Sequence, residues 1–365
     1  MKVKNSNFFS QVSLLIFAAT LLAAIPFARF LTFAVIPLQS SSNESAIIEV
    51  QKGLSPNEIT KTLVSKGVIS SGKDFLWLGR LTRRWGKIKA GEYQVSASMS
   101  PIQIFARLAS GISVAYPITV REGENLYEIA ERLAEKKLIS SANEFTQLCL
   151  DPEFISSFPI FKVHPPRSLE GFLFPDTYYF SRNLHKQDMA RQMVHHFFDF
   201  WTENQSTRAK TLGLPLFSVV ILASMIEKET GAPEERPLIS SVFHNRLEKK
   251  MRLQSDPTTI YGIWDRYQGN LHKADLLERN EYNTYQIPGL PIGPISNPGK
   301  EALEAALYPA KSPFLYFVSH NDGTHEFTST YQDHQAAVRR FQLDPKAKSG
   351  KSWRDLAKRH APKKS

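Results

Sequence analysis

Cysteine occurs once in this chain, at Cys149, so an internal disulfide is excluded and an oxidising compartment is neither required nor ruled out. Its setting, FTQLCL, reads as a helical core position. A Gly-x-Ser-x-Gly turn, a Cys-His nucleophile signature and zinc-ligand spacing are also missing. His195 and His196 are neighbours on a helix expected over 187–200 and point different ways. His320 and His325 flank an Asn321-Asp322-Gly323 turn, which reads as a hairpin between PFLYFVS and HEFTST. No metal and no cofactor are expected. The formal net charge of +10 would suit a nucleic acid. There is, however, no Gly-rich phosphate loop and no recognisable nucleic-acid module, so no such partner is expected. The densest basic block is the tail, 343–365, polar and expected to be disordered. It reads first as a solubilising tail and second as a segment drawn to anionic surfaces.

Long apolar runs are also scarce, with one exception. From Phe8 to Leu38 the chain is apolar apart from a few hydroxyls, Gln11 and Arg29, longer than the core of a cleaved signal peptide. It reads as a transmembrane anchor running from about Phe9 to Ala28, with Arg29 snorkelling at the far interface. Lys2 and Lys4 place the N-terminus in the cytoplasm and everything after Leu38 outside. Cleavage after an Ala near this point is the alternative.

After a Ser/Asn linker the sequence repeats itself. Val50, Gly53, Glu58, Ile59, Leu63, Lys66, Ile69 and Phe75 recur as Val120, Gly123, Glu128, Ile129, Leu133, Lys136, Ile139 and Phe145, always seventy residues on. A constant offset points to a duplicated unit: strand, Gly turn, amphipathic helix, second helix, closing strand. The closing strands are expected at AGEYQVS and at EGFLFPDTYYFS. The β-α-α-β order resembles the LysM module, which binds N-acetylglucosamine polymers, most closely in ITVREGENLYEIAERL. Packing of the modules against the remainder of the chain is the other reading.

The segment around Glu227 carries the chemistry. Leu216 to Ile226 (LFSVVILASMI) is so evenly apolar that its helix is buried on nearly every side, yet Glu227, Lys228 and Glu229 follow at once. A carboxylate there meets the negative end of the helix dipole and partial desolvation, both favouring the protonated form that a general acid needs. Glu227 and Glu229 stand about 200° apart on a helix and cannot share a face. Glu227 lies over the small Val220, Ala223 and Ser224, which leave room for a ligand; Glu229 lies over Leu222, Met225 and Ile226 and reads as core. Pro233, Glu234 and Glu235 open a further helix that Lys249 and Lys250 close. Two segments, RLQSDPTTIYG (252–262) and YNTYQIPGLPIGPISNPG (282–299), then read as long loops. Their Tyr, Asn and Gln residues suit sugars, giving flat faces to C–H surfaces and amides to hydroxyls. Gln254, Tyr282, Asn283 and Tyr285 are the candidates for holding them, with Glu170 and Asp256 secondary. Asp256 before Pro257 also reads as a turn or helix cap, and Tyr282 as core.

ILASMIEKET, the Ser-Val-Phe-x-Asn-Arg-Leu run at 241–247, RLQSDPTTIYG, YNTY, GLPIGPISNPG and LEGFLFPDTYYF together resemble the endolytic murein transglycosylase family, MltG or YceG-like. Ile292 departs from the second proline expected in Gly-Leu-Pro-Pro-Gly. The resemblance implies that Glu227 is the catalytic acid. It also implies cleavage of the N-acetylmuramic acid (MurNAc) to N-acetylglucosamine (GlcNAc) bond within peptidoglycan strands, leaving 1,6-anhydro-MurNAc ends and limiting nascent strand length. One carboxylate suffices for this, because the substrate's own C6 hydroxyl attacks the anomeric carbon. Two rivals stay open. A hydrolytic muramidase would enlist Asp256 or Glu229 to direct water, and a membrane-tethered scaffold would bind glycan without cutting it.

The expected fold is therefore α+β: an anchor over 1–38, β-α-α-β modules over 46–112 and 113–182, and a mainly helical catalytic domain with a short β-hairpin over 183–342. The expected partners are peptidoglycan strands, the inner membrane through one helix and cell-wall synthesis enzymes. The expected location is the inner membrane, with the catalytic domain outside.

Overall fold

The computed structural model describes residues 24–41 and 44–344. The chain is α+β and mostly helical, with three two-stranded sheets among the described residues. The expected anchor lies mostly outside those residues, as does nearly all of the basic tail. Among the described residues no single helix is long and apolar enough to cross a membrane, and the first helix, α1 (Ala24–Val35), is a short apolar one. There are two compact units. One ends at Tyr116 and takes in Tyr179–Leu184; the other comprises Pro117–Tyr178 and the chain from His185 onward.

In the first unit β1 (Ser45–Val50) pairs antiparallel with β2 (Gly91–Ser96), from Ser45 opposite Ser96 to Val50 opposite Gly91. Between them run α2 (Pro56–Ser65) and α3 (Gly72–Leu81). Ser55 and Glu58 form a capping box at the start of α2, with Pro56 supplying a preset backbone angle, so the helix begins where its orphan N–H groups are satisfied. Ile48, Leu63, Phe75, Tyr93, Ile104 and Phe105 fill the core, and Phe75 stacks on Phe105 at 4.2 Å. The repeat pattern did not include α4 (Pro101–Ser110), which follows β2 and contributes Ile104 and Phe105 to this core. Phe30, Phe33 and Ala34 of α1 pack on the same cluster.

β3 (Tyr116–Val120) pairs with β4 (Asp176–Phe180), and between them, in the second unit, lie α5 (Leu126–Glu135), α6 (Ala142–Leu150) and α7 (Pro152–Ser156). The helix pair repeats the first at the expected offset of seventy, down to its caps: Ser55 and Ser71 become Asn125 and Ser141. The closing strand is shorter than the motif EGFLFPDTYYFS suggests. Leu169, Glu170, Phe172 and Leu173 are all fully buried, an inward run with no strand alternation, so β4 starts only at Asp176.

The remaining helices are α8 (Lys186–Phe200), α9 (Glu203–Thr211), α10 (Leu216–Glu229), α11 (Arg236–Glu248), α12 (Asp256–Gly262), α13 (Lys273–Leu277), α14 (Lys300–Leu307) and α15 (Tyr331–Val338). Between α14 and α15, β5 (Tyr316–Ser319) and β6 (His325–Thr328) form the expected hairpin, with Asn321 at a left-handed φ of 66° in its turn. The segment 252–262 is not a loop throughout: Pro257 in the first turn, with Asp256 at the positive helix end, starts α12. Packed between α11, α12 and α14, α10 is the central helix, which is why Val219 to Ile226 are buried without exception.

Candidate active site

Charge enters at the end of α10, and its last turn holds both glutamates. The Glu227 side chain is only 7% exposed. Nη2 of Arg236, the first residue of α11, lies 3.3 Å from its Oε1, and the N–H of Gly299, the cap of α14, donates to Oε2 at 2.9 Å. Two helix starts thus converge on one carboxylate and fix its orientation. The small residues beneath it make room for protein, not ligand. Ser224 accepts from the Ile295 N–H at 3.0 Å through its hydroxyl and from the Ser296 hydroxyl at 3.2 Å through its carbonyl, which pins the 292–299 loop onto α10.

Asn297 extends that brace. Its N–H and Nδ2 both donate to the Glu124 carbonyl, at 2.8 and 3.0 Å, and its carbonyl accepts from the Gly123 N–H at 2.9 Å. Its Oδ1 accepts from the N–H groups of Gly171 and Leu173, each at 2.9 Å. Lys228 Nζ adds a bond to the Gly123 carbonyl at 3.1 Å. The turn after β3 is thereby clamped beside Glu227, with Gly123 at a φ of 77° that glycine adopts without strain.

Glu229 faces the other way. The Ser255 hydroxyl donates to its Oε1 at 2.5 Å, and burial pushes its pKa up to about 7 against the opposing pull of Ser255 and Arg246. Next to Ser255, Gln254 is exposed and holds a φ of 50°, a left-handed strain that a non-glycine residue keeps only where its surroundings impose it. The Tyr285 hydroxyl donates to Asp256 Oδ1 at 2.7 Å, and burial raises the pKa of that phenol. Gln254, Asp256, Tyr285 and Glu229 therefore form one neighbourhood.

Glu170 and Tyr282 lie elsewhere, while Asn283 sits under this neighbourhood, its Oδ1 accepting from the Tyr285 N–H at 3.0 Å. Glu170 is fully buried and accepts from the Leu126 N–H, the Tyr261 hydroxyl and Asn297 Nδ2; burial pushes it up to about 7. Tyr282 is half-buried, 4.8 Å from the Tyr261 ring, with its hydroxyl pushed up to about 12 by burial. Asn283 is fully buried: Nδ2 donates to the carbonyls of Asp275, Leu276 and Glu278, and Oδ1 accepts from Thr259. Glu170 and Asn283 thus spend their polar atoms on protein. His244, Asn245 and Arg246 do likewise, holding the carbonyls of Ala306, Ser312, Phe314 and Leu315.

Three residues beside Glu227 escaped the sequence reading: Arg236, Gly299 and Glu122. Glu122 Oε2 is 3.7 Å from the Arg236 nitrogen that meets Glu227 at 3.3 Å, so the two carboxylate oxygens are at most 7.0 Å apart. Its pKa is raised by burial first, then by Glu227 and Glu301, against Arg236. An aromatic shelf was missed too: Tyr127 stacks on Trp264 at 6.1 Å and meets Tyr261 at 6.0 Å.

The YceG-like family model matches residues 48–340. An endolytic murein transglycosylase of Bacillus subtilis is 33% identical over 317 residues, covering 84% of this chain and 87% of that protein. One from Streptococcus pneumoniae is 27% identical over 354 residues, covering 90% of this chain and 64% of that protein. The crystal structure of a YceG-like protein from Listeria monocytogenes has a TM-score of 0.56 and 32% identity, over 81% of this chain and all of that one.

Proposed function

The chain belongs to the YceG-like family, and from that premise we propose that it is a lytic transglycosylase that cuts peptidoglycan strands internally, with Glu227 as its acid and base. The observation that carries the reading is the Glu227 carboxylate itself, sunk at the end of a buried helix and aimed by Arg236 and Gly299. Protonated Glu227 gives its proton to the oxygen between MurNAc and GlcNAc. The bond from the anomeric carbon breaks, and GlcNAc leaves with a free 4-hydroxyl. The MurNAc C6 oxygen then bonds to the anomeric carbon, and the Glu227 carboxylate takes its proton. Water is not consumed, so the new end is 1,6-anhydro-MurNAc, and internal cuts limit strand length.

Gln254 and Asp256 provide exposed polar groups for the sugars, with Asp256 oriented by the half-buried Tyr285, and Tyr282 provides a ring edge. Glu170 and Asn283 serve by holding the loops that carry the site. The repeated β-α-α-β units contact the glycan beyond the cut. The N-terminal apolar stretch anchors the protein in the inner membrane with this domain outside; Ile25 and Phe27 of α1 are 66% and 59% exposed, as a lipid-facing segment requires.

The test is mass spectrometry of purified glycan strands digested by the full chain in detergent. Glu227→Gln keeps the side-chain shape without an exchangeable proton and loses at least about a hundred- to ten-thousand-fold in rate. Wild-type ends are lighter by one water than a hydrolase leaves. Reducing-end MurNAc as the main product makes the protein a hydrolase, and an active Glu227→Gln protein removes the assignment.

A further inference from the structure

We propose that Glu122 is a second catalytic carboxylate, whose ionised oxygen steadies the positive charge that grows on the MurNAc anomeric carbon as Glu227 protonates the leaving oxygen. This rests on the transglycosylase reading of the Glu227 site. Cleavage of a glycosidic bond places cationic character on a carbon one bond from the oxygen being protonated, so a helpful anion belongs within a few ångströms of the acid. Glu122 lies there, its carboxylate oxygen at most 7.0 Å from that of Glu227 across one guanidinium. The candidates from the motifs do not: Glu229 is turned to Ser255, and Asp256 is bonded to Tyr285.

Access and position support the role. The Glu122 side chain is 46% exposed where Glu227 is 7% exposed, so it reaches substrate from the open side. Its chain is held by the bonds from Gly123 to Asn297 and from Lys228 to Gly123, and its carboxylate rests against Gly299, the donor to Glu227. Burial favours its neutral form, as do the facing Glu227 on α10 and Glu301 on α14, Glu301 also by a hydrogen bond, while the facing Arg236 on α11 favours the ionised form the role needs. Arg236 meets both Glu122 and Glu227, and two carboxylates on one guanidinium leave a local excess of negative charge once Glu227 has given up its proton, which favours a cationic transition state.

The duplication gives an internal control. The same turn in the first copy has Gly53 at a φ of 90° where the second has Gly123 at 77°. Seventy residues before Glu122 stands Lys52, exposed to solvent. One turn geometry thus accepts either charge, so the fold of the turn does not require an acid. Glu122 gains no covalent bond and keeps its charge throughout; the proton and bond changes remain those of Glu227 and the C6 hydroxyl.

The experiment is steady-state cleavage of purified glycan strands by the full chain in detergent, with Glu122→Gln and Glu122→Asp assayed across pH beside Glu227→Gln. Glu122→Gln should lower kcat about a hundred-fold with KM within about two-fold and an unchanged melting midpoint, in line with other preorganised charge groups. The acid limb of the wild-type rate profile, set by protonation of Glu122, should vanish in Glu122→Gln, and Glu122→Asp should recover part of the rate. Wild-type kcat in Glu122→Gln overturns the proposal, as does a loss confined to KM or an acid limb that persists. If Glu227→Gln is inactive and Glu122→Gln is not, only this proposal fails. An active Glu227→Gln protein removes the functional reading beneath it.

Discussion

Gly299→Ala displaces one of the two carboxylates while leaving both glutamates unsubstituted. Gly299 has φ −74° and ψ 174°, angles open to any residue, so alanine adds no backbone strain. Its N–H still donates to Glu227 at 2.9 Å. What the new Cβ meets is Glu122: Cγ at 2.8 Å, with Cδ and Oε1 nearer still. Carbon atoms in contact sit about 3.5–4.0 Å apart, so the Glu122 side chain has to retreat by about 1 Å. The stability terms nearly cancel. Alanine caps a helix worse than glycine by about half a kcal/mol, while the stiffer unfolded chain returns about 0.4–1 kcal/mol. A melting midpoint within a few degrees of wild type is expected. A misplacement of about 1 Å at a reacting centre costs about a hundred-fold in rate, so activity should fall far more than stability. In a Glu122→Ala background the obstructed carboxylate is gone, and Gly299→Ala should add little. Equal losses in both backgrounds would refute the argument, because the damage would then lie in the Gly299 bond to Glu227. So would full activity of Gly299→Ala.

Glu229→Gln should keep substantial turnover in the strand-cleavage assay, since its carboxylate faces Ser255 and not the cleft. It also has a pH signature. With a folded pKa of about 7 against 4.5, the stability Glu229 contributes is full below about pH 4.5 and is lost as pH rises through about 7. Wild type should therefore lose up to about 3 kcal/mol relative to Glu229→Gln over that window in urea unfolding; parallel curves would reject the burial argument. Glu170→Ala strands the buried donors of Leu126, Tyr261 and Asn297, at about 1–3 kcal/mol each, and should cost more than about 3 kcal/mol by the same measurement. Trp264→Ala should raise KM for glycan strands and leave kcat near wild type if the Tyr127–Trp264 shelf carries sugar rings. Protease added outside the inner membrane should degrade the chain after Leu38; protection of the bulk would reverse the topology.

What was legible in the sequence is what local spacing records. Caps and apolar stripes are written within a turn or two, so the helix pairs of both modules, α10, α11 and the hairpin could be read directly. The separation of Glu227 from Glu229 is likewise a property of one helix, and the structure turns them to Arg236 and Ser255 respectively. Polar residues in the loops were harder, because an Asn looks the same whether it will hold a sugar or three backbone carbonyls, as Asn283 does. Glu122 was out of reach for a different reason. It lies as far before Glu227 in sequence as Gly123 does before Lys228, 105 residues, and only tertiary contacts, the Asn297 brace and the bond from Lys228 to Gly123, bring the two segments together. One trace did exist in the repeat itself: the turn glycines match while Lys52 and Glu122 carry opposite charge. Matching positions in a duplicated unit report the demands of the fold, and a reversal of charge between them at an otherwise preserved turn reports a demand that only one copy meets.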